Sequence, residues 1–321
     1  MSTDVVPLPT LSIASCSSSV ATHALLRKVA ASVEGIADSE TVLLSSILDA
    51  EAKRPFFAVN EGTKLSKLRQ YSRTVKSDFV CVCDPDLEVQ SAATLAVVAA
   101  AINVANSGCE IVAYGLLKCR DDGTVLSRVI AIDKWLSHRV LRPALWGCGV
   151  GITIPGQFMV FSTSMLQRID PAVDSYLDDL YLGWIARSNS VRVLRVPVVV
   201  GYEESRSAWA SLLTQRLRWM RGFFSLVAHL ARQPKAIGLL AVHFAAYHGL
   251  PILWLLCLVA LAILAPAVAV AFFATSAVLA SLLSRQSLVV ATMFFLLFPM
   301  LHCVVALLWW IPISHERLQQ R

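Results

Sequence analysis

From Leu239 to Pro312 the chain runs 74 residues without an Asp or Glu, and Arg285 is its one formal charge. A membrane-spanning helix needs about 20 predominantly apolar residues. The stretch therefore predicts three spans, at 239–264, 267–284 and 288–312, with breaks near Ala265-Pro266 and Ser284–Ser287. A wholly apolar buried helical domain is the alternative, and it needs a large partner to cover it. The rest of the chain has the charge density of a soluble domain, so a soluble unit precedes a membrane unit. With 56% hydrophobic and 16% charged residues in 321, disorder, a collagen-like fibre and a disulfide scaffold are excluded.

Charge placement predicts orientation. Arg216, Arg218, Arg221, Arg232 and Lys235 precede the first span and Arg285 separates the second from the third. Basic flanks favour the cytoplasmic side. The tail, with His315, Arg317 and Arg321, breaks that pattern: it is a tolerated exception, or one apolar segment is re-entrant. The eight Cys include no Cys-x-x-C pair, and Met1–Thr10 lacks the pattern of a secretory leader. A reducing cytosol is the expected compartment. Cys81 and Cys83 face one side of an apolar strand and read as buried thiols, with a metal or redox pair as the other reading. His243, His248 and His302 within the spans read as packing or interface residues. The net charge of +6 comes largely from the juxtamembrane Arg cluster. A membrane explains that cluster better than nucleic acid does.

Upstream of the spans, apolar runs alternate with helical spacings. Strands are expected at Thr10–Cys16, Glu40–Ile47, Phe56–Val59 and Asp78–Cys83, and helices at Ala21–Ile36, Thr63–Val75 and Gln90–Asn106. This order predicts an α/β fold, a parallel or mixed sheet with helices on both faces. The middle is less regular. Ile111–Leu117 and Val191–Val200 read as strands, and Trp146–Gly156 as a Gly-rich loop. Ser162–Arg168 reads as a helix opened by a Ser cap, Tyr176–Arg187 as another, and Ser207–Leu230 as a long amphipathic one.

Three groups carry chemistry. Asp84-Pro85-Asp86 follows a buried strand, where two carboxylates can share a hard divalent cation such as Mg2+ or Mn2+; an Asx turn ending the strand is the plainer reading. Asp178-Asp179 opens a helix, where acids also serve as favourable N-terminal charges, but one near a leaving group can act as a general base. Gln215, Arg218 and Trp219 share a helix face. There Arg can grip a diphosphate and Trp can offer a platform to a sugar ring. A basic helix lying on lipid headgroups is a compatible reading.

Taken in order, these groups resemble family 2 glycosyltransferases of the GT-A fold, in the membrane branch of cellulose, chitin, chitooligosaccharide and hyaluronan synthases. The resemblance rests on Asn60-Glu61-Gly62-Thr63-Lys64, Asp84-Pro85-Asp86, Pro155-Gly156-Gln157-Phe158, Asp178-Asp179-Leu180-Tyr181-Leu182-Gly183 and Gln215–Trp219, and spans about residues 10–235. It implies that Asp84 and Asp86 hold the donor diphosphate, the latter mainly through Mg2+ or Mn2+. It implies that Asp179 deprotonates the acceptor hydroxyl, and that Asp178, Gln215, Arg218 and Trp219 border donor and acceptor. Lys64 approaches the donor or remains a solvated helix charge.

The implied reaction is a single inverting displacement. It moves a sugar from a UDP-sugar to a saccharide acceptor at the cytoplasmic face and builds a β-linked oligo- or polysaccharide. A lipid acceptor, or a catalytically silent scaffolding relative, is the alternative. Two departures stand out. Ser45 and Ser46 occupy the place where relatives hold acids that grip the base, with Asp49 the nearest acid, and the first strand runs into Cys16-Ser17-Ser18-Ser19. The expected organisation is a GT-A domain over 1–222, an interface helix over 223–238, membrane helices over 239–312 and a polar tail over 313–321. Expected partners are the nucleotide sugar, the acceptor, the lipid bilayer and further copies of the chain, with no nucleic acid.

Overall fold

The computed structural model describes residues 7–16, 20–45, 56–58 and 62–310. Its first elements are β1 (Thr10–Ser15), α1 (Val20–Ser32), β2 (Asp38–Ser45), β3 (Phe56–Ala58), α2 (Lys64–Ser72), β4 (Phe79–Cys83), β5 (Leu87–Val89) and α3 (Ser91–Ala105). Next come β6 (Ile111–Cys119), α4 (Val125–Leu136), α5 (Arg142–Gly147), β7 (Phe158–Ser162), α6 (Thr163–Leu166), α7 (Asp178–Ser188) and β8 (Arg192–Glu203). The last are α8 (Trp209–His229), α9 (Pro234–Phe244), α10 (Leu250–Leu264), α11 (Pro266–Ser284) and α12 (Leu288–Leu308). Two compact units result: Met1–Lys118 with Ile152–Glu203, and Cys119–Gly151 with Glu204–Arg321.

The first unit is built on a sheet of order β3-β2-β1-β4-β7-β6-β8-β5. β3, β2, β1 and β4 run parallel. β7 enters antiparallel between β4 and β6, and β5 pairs antiparallel with β8 at the far edge. The sheet is therefore mixed, with the strand order of a doubly wound fold in its first half. β4 is buried along its whole length, which is why it reads as an unbroken apolar run. Alternate residues of β1 and β4 (Leu11, Ile13, Phe79, Cys81, Cys83) join Leu26 and Val29 of α1 and Val97 and Val98 of α3 in one core. Residues of opposite parity point to the other face. There Ser12 Oγ donates to Glu40, and Tyr71 of α2 reaches the same carboxylate. Cys81 and Cys83 lie 3.8 Å apart at sulfur, buried and free, as the thiol reading expected.

The expected elements are present, with instructive differences. Ser162 does not cap α6; its Oγ accepts the N–H of Ile111, tying β7 to β6. The irregular middle contains one nearly continuous helical run, α4 to α5, joined by a π-helical turn at Ser137–Leu141. A second π turn, Ala245–Gly249, joins α9 to α10. Each π turn is followed, one residue later, by a proline: Pro143 and Pro251. Proline has no N–H for the carbonyl four residues back and its ring crowds that carbonyl, so a widened turn relieves the clash. Asn60, Glu61, Ser46, Asp49, Ser17–Ser19 and the tail lie outside the described residues.

The second unit contains the apolar helices. α9, its π turn and α10 form one 31-residue helix over Pro234–Leu264, followed by 19 residues in α11 and 21 in α12. All three are long and apolar enough to cross a bilayer. They pack through Ala269, Ala277 and Ala280 of α11, small residues that let helices approach closely. Val129 and Ile132 of α4 join Ala277, Phe294 and Phe298 in a second core. The opposite faces stay bare, with Ile263 75% and Val270 69% exposed. Contiguous apolar surface of this size marks a face toward lipid or a partner.

Gly183 fixes the seat of α7. A methyl group there would lie 2.2 Å from the Ile152 carbonyl oxygen and 2.7 Å from its carbon, so only hydrogen fits between the helix and that strand of backbone. Gly183→Ala is predicted to lower the apparent Tm in detergent by roughly 6–12 °C, taking about 3 kcal/mol for the overpacking. An unchanged unfolding curve would contradict this packing.

Candidate active site

The carboxyl ends of β1 and β4 lie side by side, because Ala14 is in register with Val82. Crevices at such strand ends are where α/β sheets take ligands. Leaving β4, the chain turns sharply: the Leu87 N–H donates to Asp84 O at 3.3 Å. The Asp84 N–H donates to Gln157 O at 2.8 Å, which locks this turn to the segment before β7. The turn is closed through the Asp84 main-chain carbonyl and not by the side-chain acceptor that defines an Asx turn, while the Asp84 carboxylate engages a cation.

Its partner is Lys64. The Nζ donates to Asp84 Oδ1 at 2.7 Å and to the Gly156 carbonyl at 2.5 Å, and sits 3.2 Å from Asp178 Oδ2. Lys64 opens α2, whose N-cap Thr63 accepts the Ser66 N–H and whose Leu65 and Leu68 are fully buried. A cation at a helix N-terminus opposes the helix dipole. The two carboxylates reverse that cost. Burial pulls the ammonium pKa down, but Asp178 and Asp84 outweigh it and hold the group above its ordinary value. The solvated-charge reading of Lys64 is therefore wrong: its side chain is 18% exposed and salt-bridged twice. Thr63 also donates to Asp174, which ties the helix start to the chain leading into α7.

Asp179 follows at the first turn of α7 and backs onto Gly156. A methyl group at Gly156 would lie 3.3 Å from Asp179 Cβ and 3.7 Å from Asp178 Oδ2. Glycine there lets the loop carbonyl reach Lys64 while both acids stay close. Asp179 Oδ1 accepts the N–H of Leu180 at 2.9 Å. Asp86 sits in the same turn as Asp84, with Oδ1 closed off from solvent. Gln157 Nε2 donates to Glu203 at the end of β8 at 2.8 Å, so the loop is held from both sides. Cys16, at the end of β1, is in the field of Lys64, Lys67, Asp84 and Asp178. Burial pushes its thiol up to about 12, the lysines working against that, so it stays a neutral S–H. Sequence reasoning noted Cys16 as unusual but missed Glu203 and Asp174; neither lies in a motif.

Lys64, Asp84 and Asp178 are thus in contact, with Asp179 and Asp86 on the same segments. One ammonium meets two carboxylates, an excess of negative charge that suits a divalent cation. Among the described residues no group of three or more His, Cys, Asp or Glu is arranged to hold a metal alone. That donor set fits a hard ion held by one or two carboxylates and completed by ligand phosphate oxygens, the usual habit of Mg2+.

Gln215, Arg218 and Trp219 stand on α8 in the second unit. Gln215 is buried, while Arg218 and Trp219 are half-buried. Arg216 does not project to headgroups. It is buried, donates to Asp133 of α4 at 2.6 Å, and lies 4.4 Å from the Trp219 ring centroid. One face of that ring is therefore taken. Arg221 donates to the Trp309 carbonyl at 3.0 Å. Of the cluster read as juxtamembrane, Arg232 and Lys235 remain exposed.

The structure of the mannosyltransferase PcManGT from Pyrobaculum calidifontis, in complex with GDP-Man and Mn2+, matches 96% of this chain and 90% of its own, at 16% identity and TM-score 0.57. Glucosyl-3-phosphoglycerate synthase from Mycobacterium tuberculosis, in complex with Mn2+, uridine diphosphate and glucosyl-3-phosphoglycerate, matches 68% of this chain and 79% of its own, at 16% identity and TM-score 0.47. No curated protein matches the chain in sequence. The family profile described as glycosyltransferase like family 2 matches residues 11–222. With two thirds of its length under that profile and a GT-A sheet beneath it, the chain belongs to glycosyltransferase family 2.

Proposed function

We propose that this family 2 enzyme transfers a sugar from a nucleoside-diphosphate sugar to a saccharide acceptor with inversion, at the cytoplasmic face of a membrane. The observation that carries this reading is the joining of Lys64, Asp84, Asp178 and the Gly156 carbonyl at the end of β4, with Asp86 and Asp179 beside them. Exposed Arg232 and Lys235 before the first apolar helix, and exposed Arg285 between the second and third, support the cytoplasmic assignment. The three apolar helices support a place in the membrane branch, with residues 1–222 catalytic and 239–312 in the bilayer. A lipid acceptor is the second reading, favoured by the exposed apolar faces of the three long helices that end the described chain.

The acceptor oxygen forms a bond to the anomeric carbon as the bond from that carbon to the diphosphate oxygen breaks. Asp179 takes the acceptor proton, a general-base contribution of roughly 10²–10⁴-fold. Asp84 and Asp86 would hold Mg2+ or Mn2+, which when bound neutralises charge on the departing diphosphate. Lys64 keeps Asp84 and Asp178 in position for this. Gln215, Arg218 and Trp219 keep the roles that the resemblance gives them, toward the diphosphate and the acceptor sugar.

Purified protein incubated with a panel of UDP- and GDP-sugars, with and without Mn2+, is predicted to release nucleoside diphosphate from one donor in a metal-dependent way. No release from any donor by folded protein would contradict transfer. With that donor, Asp179→Asn is predicted to lower turnover at least 100-fold while donor affinity changes little. Full turnover would remove Asp179 from the role. Lys64→Met leaves two carboxylates without their cation. It is predicted to cost about 1–3 kcal/mol of stability and to weaken nucleoside diphosphate binding at least tenfold by calorimetry. Unchanged binding would confine Lys64 to a structural role.

A further inference from the structure

Glu203 ends β8 and is 6% exposed. A buried carboxylate is costly unless hydrogen-bond donors answer it. Gln157 Nε2 donates to Glu203 Oε2 at 2.8 Å. Gln157 Oε1 is buried without a hydrogen-bond partner, so the carboxylate is what orients this amide. The main chains of the same two residues grip one turn. In Asp84-Pro85-Asp86-Leu87 the Leu87 N–H donates to the Asp84 carbonyl. The Asp84 N–H donates to Gln157 O at 2.8 Å, and Leu87 is in register with Glu203 where β5 meets β8. Gln157 thus holds one foot of the turn and Glu203 the other, and their side chains join the two.

The result is a closed ring of contacts around the residues that present Asp84 and Asp86. β8 has no room to take up slack, because a methyl group at Gly201 would lie 2.7 Å from the Glu88 carbonyl oxygen of β5. Gly156, next to Gln157, accepts from the Lys64 ammonium, so the same loop also fixes the cation that meets Asp84. A further carboxylate beside an acidic cleft adds like charge, and an apolar pair of the same size would fill the space without it. Orientation accounts for its presence: an ionised acceptor holds an amide N–H more strongly than a neutral one does. Groups that hold metal-binding carboxylates in place matter to affinity, by roughly 10–100-fold when they are lost.

We propose that Glu203 is a positioning residue for sugar transfer: through Gln157 it holds the Asp84–Leu87 turn in the geometry that takes a divalent cation and a nucleoside diphosphate. This rests on the transfer reading of the carboxylate cleft. Full-length protein in neutral detergent micelles tests it by calorimetry and thermal shift, with Mn2+ and either uridine or guanosine diphosphate as the probe. The double variant Glu203→Met/Gln157→Met replaces both partners by apolar side chains of similar length, a change close to neutral in stability. Its ligand-free Tm is expected to hold while affinity for the probe falls about tenfold. Undiminished affinity would make the pair structural and overturn the proposal. In turnover the donor KM is expected to rise and the acceptor KM to stay; the reverse would overturn it.

Glu203→Gln keeps an acceptor for the Gln157 amide and is expected to retain the probe affinity to within about threefold. A loss as large as that of the double variant would assign the effect to charge alone and overturn positioning. Glu203→Asp keeps the charge but is one methylene short of Gln157. Several-fold weaker binding is expected there, and unchanged binding overturns the proposal even if the double variant does not fold. If the wild-type protein binds neither nucleotide with Mn2+, the transfer reading of the cleft fails and this inference with it. Wild-type binding with undiminished variants overturns this inference alone.

Discussion

The Lys64 ammonium organises the first unit. It joins the start of α2, the turn after β4, the loop before β7 and the start of α7, four segments far apart in sequence. Without it the turn after β4 and the start of α7 would repel each other, since Asp84 and Asp178 are both negative. A compact cation between two carboxylates and a carbonyl turns that repulsion into a fixed arrangement. It still leaves more negative charge than it cancels. That residual charge suits a divalent cation.

Glycine makes this packing possible twice, by different routes. At Gly183 the missing side chain lets α7 lie on the backbone at Ile152, and so sets where Asp178 and Asp179 begin. At Gly156 it lets a loop carbonyl approach Lys64 without displacing Asp179. The acids of α7 are placed by contacts on both sides of the helix start.

Much of this was legible in the sequence. The alternation of apolar runs and helical spacings gave the parallel half of the sheet, and the acid-free stretch gave three apolar helices within a few residues of their ends. The two acid pairs and Gln215–Trp219 were visible because their chemistry is local. The role of Lys64 was not, since its partners lie 20 and 114 residues away and its neighbours Lys67 and Arg69 make the helix look like a solvated basic face. Arg216 misled for the same reason: its acid, Asp133, sits on a helix that the sequence hid. That helix escaped because a π turn shifts the apolar period partway along it. β7 escaped because five buried residues between two polar ones carry no strand signature of their own.

The acidic cleft of the α/β unit carries the central claim. An anomalous-scattering map of the protein crystallised with Mn2+ and uridine diphosphate tests it most directly. The account predicts a manganese peak within about 2.3 Å of an Asp86 or Asp84 oxygen, bridged to the diphosphate. A manganese or diphosphate bound away from the end of β4 would contradict it.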